Sequence, residues 1–255
     1  MRKPLRQRRL RLARQPPVQL TQRGQLDRSC HADVKLHGKN AIVSLASMLK
    51  QLFQNSMTAR SQAAYSDLVL RLRTAETAVH AVKVGDEAPS FLLPNAEGQL
   101  IASEDLLAAG PLVVTFFRGG WCPYCDLAMR AMEEALQDIQ AAGAGFVAIW
   151  PETGGLALRV KRERSLTYEL LVDVDHSVAM QFGIVFRMPD LYREMLIDEG
   201  TDLAKRQGNP SWLVPMTATY VIAPNGVVLY AFVDGDFTLR AEPAEVIAFL
   251  KTLKL

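Results

Sequence analysis

The sequence predicts an α/β fold in which a central mixed sheet is flanked by helices, with a helical leader ahead of it. Three observations carry that expectation. The run Leu112-Val113-Val114-Thr115-Phe116-Phe117 is short, β-branched and aromatic, as a buried strand should be. It passes through Gly119-Gly120 into Asp126 to Ala142, a segment rich in Ala, Leu, Met, Glu and Gln that favours helix. From Val84 onward strand-like and helix-like segments alternate, and the chain closes with a hairpin and a helix.

Residues 1–42 read as a disordered basic extension: Arg-rich, with Pro16-Pro17 and no sustained periodicity. Arg8-Arg9 is not followed by the apolar stretch of a twin-arginine signal. The plainest reading is a dispensable segment upstream of a natural start near Val43 or Met48. Over 43–83 the pattern turns helical, with Leu45, Leu49, Leu52 and Phe53, then Leu68, Val69, Leu72 and Ala75, at three- and four-residue steps. Two helices broken near Asn55–Thr58 account for it. This leader serves either as a homodimer contact or as a helical layer on the core.

The remaining segment, 84–255, opens with a hairpin, Phe91-Leu92-Leu93 and Leu100-Ile101 around Asn95-Ala96-Glu97-Gly98, followed by Ser103 as a helix N-cap. After the strand at 112–117 and its helix comes a second buried strand, Phe146 to Trp150. A helix over 155–165, a strand Leu170-Leu171-Val172 and a helical turn around Val178–Phe182 follow. Thr217 to Ala223 and Val227 to Val233 pair around Pro224-Asn225-Gly226. Glu242 to Leu253 forms the last helix. This is the element order of a thioredoxin-like sandwich.

Composition narrows the function. Overall charge is +2, yet residues 1–28 hold nine Lys/Arg against the single acid Asp27. The rest of the chain is therefore mildly acidic and offers no basic footprint for nucleic acid. No apolar run approaches the ~18 residues that span a bilayer. Three cysteines in 255 residues do not make a disulfide scaffold, and two of them form Cys122-Pro123-Tyr124-Cys125. The pattern suits a reducing compartment, so a cytoplasmic location is expected. A zinc site is not expected, because there is no second Cys-x-x-Cys or His-x₃₋₅-His to complete it.

The cysteine pair stands where a strand hands over to a helix. Pro123 suits the first helical position, where its missing N–H has no intrahelical partner. Cys122 is then the N-cap and Cys125 lies in the first turn. Free backbone N–H groups and the positive helix end favour a thiolate there. Arg118, just ahead, adds positive charge, while Trp121 and Tyr124 shield the site or meet a partner. Asp173, Asp175 and Glu152 are expected to cap or solvate turns.

Several blocks resemble one family. Val84-Gly85-Asp86-Glu87-Ala88-Pro89-Ser90-Phe91 looks like the opening signature of the peroxiredoxin (alkyl hydroperoxide reductase/thiol-specific antioxidant) superfamily. Phe116 to Cys125 looks like its peroxiredoxin-like branch. Asp173-Val174-Asp175, Phe182-Gly183-Ile184 and Ala218-Thr219-Tyr220-Val221-Ile222-Ala223-Pro224-Asn225-Gly226 match as well. The resemblance covers about 84–255 and implies a thioredoxin-like fold.

The same resemblance implies a thiol-dependent peroxidase. It would reduce hydrogen peroxide and organic hydroperoxides without metal or cofactor, recycled by a thioredoxin- or glutaredoxin/glutathione-type donor. The family's Pro-x-x-x-Thr-x-x-Cys places Cys125 at the attacking position, Cys122 at the Thr and Arg118 at the Pro. Thr217 holds the place of the Arg that normally precedes the Ala-Thr-aromatic strand, and also that of the cis-proline of thioredoxin-like oxidoreductases. The site therefore lacks the Thr and Arg that orient peroxide in the family. Helix geometry alone would instead make Cys122 the more exposed nucleophile. The alternative activity is thiol–disulfide exchange on protein substrates.

Overall fold

The computed structural model describes residues 44–253. The extension expected over 1–42, with Cys30, His31 and His37, lies outside the described residues. Two helices lead, α1 (Leu45–Ser56) and α2 (Ala59–Thr74). Each starts on a hydroxyl cap: Ser44 accepts from the Ser47 N–H, and Thr58 from the Ser61 N–H. The break between them falls at Met57-Thr58, inside the expected interval. Their apolar stripes are buried at Leu45, Leu49, Leu68 and Leu72.

A hairpin of β1 (Leu92–Pro94) and β2 (Leu100–Ala102) precedes α3 (Ser103–Leu107). Ser103 is not the N-cap expected of it. Ala102 holds that position, and the Ser103 hydroxyl accepts instead from the Phe91 N–H at 2.9 Å, tying the hairpin to the helix.

The main sheet has five strands in the order β5-β4-β3-β8-β9. Its centre, β3 (Leu112–Phe116), runs parallel to β4 (Gly145–Trp150), which runs parallel to β5 (Glu169–Val172). On the other side β3 pairs antiparallel with β8 (Thr217–Ile222), which turns back into β9 (Val228–Asp234). All five residues of β3 are buried, which is why it reads as a continuous apolar run rather than an alternating one. Helices α4 (Pro123–Ala141), α5 (Gly154–Glu163), α6 (Ser177–Gln181) and α9 (Pro243–Leu250) complete the expected pattern.

The stretch 183–216, unassigned from sequence, contains β6 (Val185–Arg187), α7 (Asp190–Asp198), α8 (Leu203–Gln207) and β7 (Leu213–Pro215). Strands β6 and β7 pair antiparallel in a sheet of their own. Both helices are short, and α7 is fixed by burying Tyr192, Met195 and Leu196, so tertiary contacts decide them more than local propensity. Helix α7 packs on α2, and α1 packs on α4. The Glu242 carboxylate accepts from the Leu45 N–H at 3.1 Å and the Ala46 N–H at 2.5 Å. An acid at the positive end of α1 thus joins the leader to the C-terminal helix. Among the described residues no helix is long and apolar enough to cross a membrane.

Candidate active site

Strand β3 ends at Phe116, and the next nine residues build the site. The Phe117 N–H still bonds the Ile149 carbonyl, so Arg118 leaves the sheet beside the end of β4. The chain then turns through Gly119 and Gly120 into α4. Gly119 has φ +135°, and a Cβ there would lie 2.7 Å from the Trp121 ring. A Cβ on Gly120 would lie 2.9 Å from Val160. Side chains are excluded from this turn by contact as well as by conformation. Cys122 is the N-cap of α4, Pro123 opens the helix and Cys125 sits in its first turn.

Both thiols are free, and both are buried: Cys122 is 1% exposed and Cys125 0%. The expectation that helix geometry leaves Cys122 the more exposed sulfur is therefore not met. Trp121 folds back to donate its Nε1–H to the Arg118 carbonyl at 3.1 Å, and the cap is completed by residues far away in sequence.

Arg118 is the most unusual group here. Expected to add positive charge near the thiols, Arg118 is not a solvated cation at a strand end but is 1% exposed. Its guanidinium carbon lies 4.1 Å from the Phe237 ring centre, 4.6 Å from Trp121 and 5.4 Å from Tyr192, a three-sided aromatic box. One nitrogen, Nη1, points to the Cys122 Sγ at 4.0 Å, and the backbone N–H points to the Cys125 Sγ at 3.4 Å. Nε and Nη2 have no hydrogen-bond partner among the described residues. Burial works against the charge, but the Tyr192 phenol and the two sulfurs outweigh it, and the guanidinium stays protonated.

A second guanidinium was not foreseen. Arg240 follows β9 in a loop, 115 residues from Cys125 in sequence. Its Nη1 donates to the Thr217 Oγ1 at 2.9 Å, to the Leu239 carbonyl at 3.0 Å and to the Phe237 carbonyl. That leaves Nη2 3.5 Å from the Cys125 Sγ. Thr217, singled out because a family arginine is missing at its position, is buried at the start of β8 and anchors an arginine that arrives from elsewhere.

These charges act on the thiols as a pair. Burial pushes the Cys122 thiol up, but the hydrogen bond from Cys125 and the charges of Arg118 and Arg240 outweigh it and bring it down to about 5. Burial and the neighbouring Cys122 charge push Cys125 well up. One proton is shared by two sulfurs, and the resting negative charge lies on Cys122.

Glu152 is neither solvated nor a turn cap. It is fully buried, with one oxygen accepting the Gly120 N–H at 2.6 Å and the other paired with Arg206 of α8. Asp173 does cap: it accepts from the Val178 and Ala179 N–H groups at 3.2 and 2.9 Å, at the start of α6. Among the described residues no group of three or more His, Cys, Asp or Glu is placed to hold a metal ion.

The AhpC/TSA family matches residues 84–231, which span the hairpin, the sheet and both cysteines. The chain belongs to that family. Peroxiredoxin Bcp of Escherichia coli K12 is 27% identical over 106 residues, 42% of this chain and 67% of its own length. A putative peroxiredoxin of Mycobacterium tuberculosis is 29% identical over 99 residues, 39% of this chain and 62% of its own. Among solved structures, Peroxidoxin BcpB of Mycobacterium tuberculosis superposes with a TM-score of 0.54 at 22% identity, covering 68% of this chain and 99% of that one. As an AhpC/TSA protein with a thioredoxin fold, the chain is a thiol peroxidase, an oxidoreductase. Arg240, Tyr192 and Phe237 are the site residues that sequence reasoning missed. Nothing local in the sequence marks Arg240, because the side chains it meets, Thr217 and Cys125, lie 23 and 115 residues away.

Proposed function

We propose that the protein reduces hydroperoxides through Cys122 and Cys125, with Cys125 as the attacking sulfur and Cys122 as its base and resolving partner. The observation that carries this reading is the convergence of two N–H donors, from the Arg118 backbone and the Arg240 side chain, on the Cys125 Sγ. They stabilise the thiolate that Cys125 must form before its sulfur attacks the peroxide. Cys122, the resting thiolate, takes the Cys125 proton across their hydrogen bond. The Cys125 thiolate attacks one peroxide oxygen, the O–O bond breaks, and the departing alkoxide or hydroxide takes the proton back from Cys122. Cys125 is left as sulfenic acid. Cys122 thiolate then attacks that sulfur, and hydroxide leaves with a proton from solvent as water. The balance is one hydroperoxide and one proton consumed, with one disulfide, one alcohol or water, and one further water formed.

Trp121 and Pro123 are assigned supporting parts, the first as cover and the second as the fixed start of α4, and Thr217 as the anchor of Arg240. A dithiol of thioredoxin or glutathione type would reopen the disulfide by exchange. Free thiols one helical turn apart suit a reducing compartment, and we place the protein in the cytoplasm.

Single-turnover consumption of hydrogen peroxide and cumene hydroperoxide by wild type, Cys125→Ser and Cys122→Ser tests the order of attack. Cys125→Ser should lose the fast phase, while Cys122→Ser should keep a slower one and accumulate trappable sulfenate on Cys125. A second reading, in which Cys122 attacks directly, is favoured by its low pKa and predicts the reverse. Insulin-disulfide reduction faster than peroxide turnover would favour the exchange activity instead.

A further inference from the structure

Two of the three rings that box Arg118 rest on helix α2. The AhpC/TSA match runs from 84 to 231, so α2 lies ahead of it and Phe237 beyond its end. The two segments meet at Tyr65. Its ring stands edge-on to Phe237, with centroids 5.5 Å apart and planes at 89°, and its Oη donates to the Asp236 carboxylate at 2.6 Å. The other Asp236 oxygen accepts from the Thr238 N–H at 3.0 Å and the Thr238 hydroxyl at 2.7 Å. Asp236 is thus shared between α2 and the loop that presents Phe237. Burial and that carboxylate push the Tyr65 phenol up to about 12, so it remains a donor at neutral pH.

Neighbouring contacts fix Tyr65 in turn. Phe53 of α1 packs against its ring, with centroids 5.0 Å apart. Further along α2, Leu72 lies so close to Gly235 that a Cβ there would be 3.0 Å from the Leu72 Cβ. Helix α7, which supplies Tyr192, packs on α2 as well. A helix that only covered a core would need an apolar stripe and nothing more. Here a phenol is aimed at the carboxylate that shapes one loop. That loop's Phe237 is the ring nearest the Arg118 guanidinium, at 4.1 Å, and Arg118 Nη1 faces the Cys122 Sγ at 4.0 Å.

We propose that α2 is a working part of the active site and that Tyr65 is a positioning residue for the peroxidase reaction, setting Phe237 against Arg118 and so holding the guanidinium at the thiols. The inference rests on the reading that Cys122 and Cys125 carry out the chemistry. Beside the hydrogen bond from Cys125, the charges that bear on Cys122 are those of Arg118 and Arg240. Tyr65 is not among these groups and acts only through the loop. Phe237 confines Arg118, and the Phe237 carbonyl accepts from Arg240 Nη1. A cation free to shift stabilises a thiolate less than one fixed beside it, because the attraction falls with distance.

The test is the pH profile of Cys122 alkylation by iodoacetamide, read by mass mapping on the full reduced chain, and it requires no peroxide turnover. Tyr65→Leu removes ring and hydroxyl, and Tyr65→Phe only the hydroxyl. Leu45→Ala, at the end of α1 away from Phe53, is the control for lost packing. In wild type the midpoint is expected at about 5. Tyr65→Leu should raise it by about one pH unit, slowing labelling at that pH about fivefold, and Tyr65→Phe by roughly half as much. All forms should converge above about pH 8, where Cys122 is ionised throughout. Leu45→Ala should unfold more easily yet keep the wild-type midpoint. An unchanged midpoint in either Tyr65 variant overturns the proposal. So does an equal rise in Leu45→Ala, or a Tyr65 variant that labels faster at every pH because its thiols have lost their cover. Tyr65→Phe decides alone if Tyr65→Leu does not fold. Low-pH labelling of Cys125 in place of Cys122 would overturn the assigned resting thiolate, while the shift between variants still judges Tyr65.

Discussion

Two buried charges flank the Gly119-Gly120 turn, and the protein keeps them in opposite ways. Glu152 on one side is fully buried but completely partnered, by the Gly120 N–H and by Arg206. Arg118 on the other side is as deeply buried and left with Nε and Nη2 unpartnered, its charge balanced by a sulfur that can change state. The first is a fixed clamp that sets the path of the chain into α4. The second is a charge whose surroundings the chemistry itself rewrites. A site that must hold still and yet respond to oxidation divides the two tasks between its two sides.

The comparison breaks most readily at the clamp. Arg206→Ala leaves the Glu152 carboxylate buried without its cation, and truncating one partner of such a pair destabilises by about 3–5 kcal/mol. Urea unfolding of the reduced protein should show a loss of that order. Glu152→Gln, which keeps an acceptor for Gly120, should cost distinctly less than Glu152→Ala. If the two Glu152 variants unfold together, the Gly120 hydrogen bond is not what the carboxylate contributes.

Arg118→Met should behave differently, because the group it leaves behind can take up a proton. The stability loss should be smaller than at the clamp, and the effect should appear in reactivity. With one of two nearby cations removed, thiol alkylation at pH 6 should slow by about tenfold. Iodoacetamide labelling followed by mass spectrometry reads this directly. A variant as reactive as wild type would assign the thiolate's stability to Arg240 and Cys125 alone.

The pH dependence sharpens the same contrast. Cys122 ionises near 5 in the folded protein, whereas a free thiol does so at ~8.5. Between those values the unfolded chain binds more protons than the folded one, so stability of the reduced protein should rise with pH across that window. The contribution is complete above the unfolded value and lost as pH falls through about 5. Cys125, pushed up, acts oppositely above the free-thiol value. Thermal melts of the disulfide form should lack this slope, because neither sulfur can titrate.

How much of this was legible in the sequence depends on range. The strand into Gly119-Gly120, the cap at Cys122, Pro123 at the first helical position and Cys125 in the first turn are local facts, and apolar runs and capping rules report them. The five-stranded sheet was legible for the same reason, since β3, β4 and β8 are short runs rich in β-branched and aromatic residues, buried along almost their whole length. Helices α7 and α8 were missed although signals existed: Pro189 before α7, Asp202 capping α8 through the Lys205 N–H, and Gly208 closing it with φ +72°. Glu152 was read as a turn residue because burial of an acid depends on a partner 54 residues away. Ser103 was read as a cap because its hydroxyl's real partner, Phe91, lies across a hairpin. Polar contacts across long separations carry no periodicity, and the site's second arginine is one of them.

The smallest effect tests that arginine through its anchor. Thr217→Val removes one of three acceptors on Arg240 Nη1 and keeps the carbonyls of Phe237 and Leu239. Thr217 is buried in a β-strand, where valine matches its shape, so the stability change should stay within about 1 kcal/mol. Arg240 would still reach the site but with its Nη2 less firmly aimed at Cys125. The rate of peroxide consumption should therefore fall by only about threefold, whereas Arg240→Met, which deletes the donor, should fall much further. The ratio of the two is informative in itself. Equal losses would mean that the hydroxyl alone aims the guanidinium; a Thr217→Val protein with wild-type rate would mean that the carbonyls suffice. Either result separates holding an arginine at the thiols from having one there, the distinction that Glu152 and Arg118 draw on the opposite side of the turn.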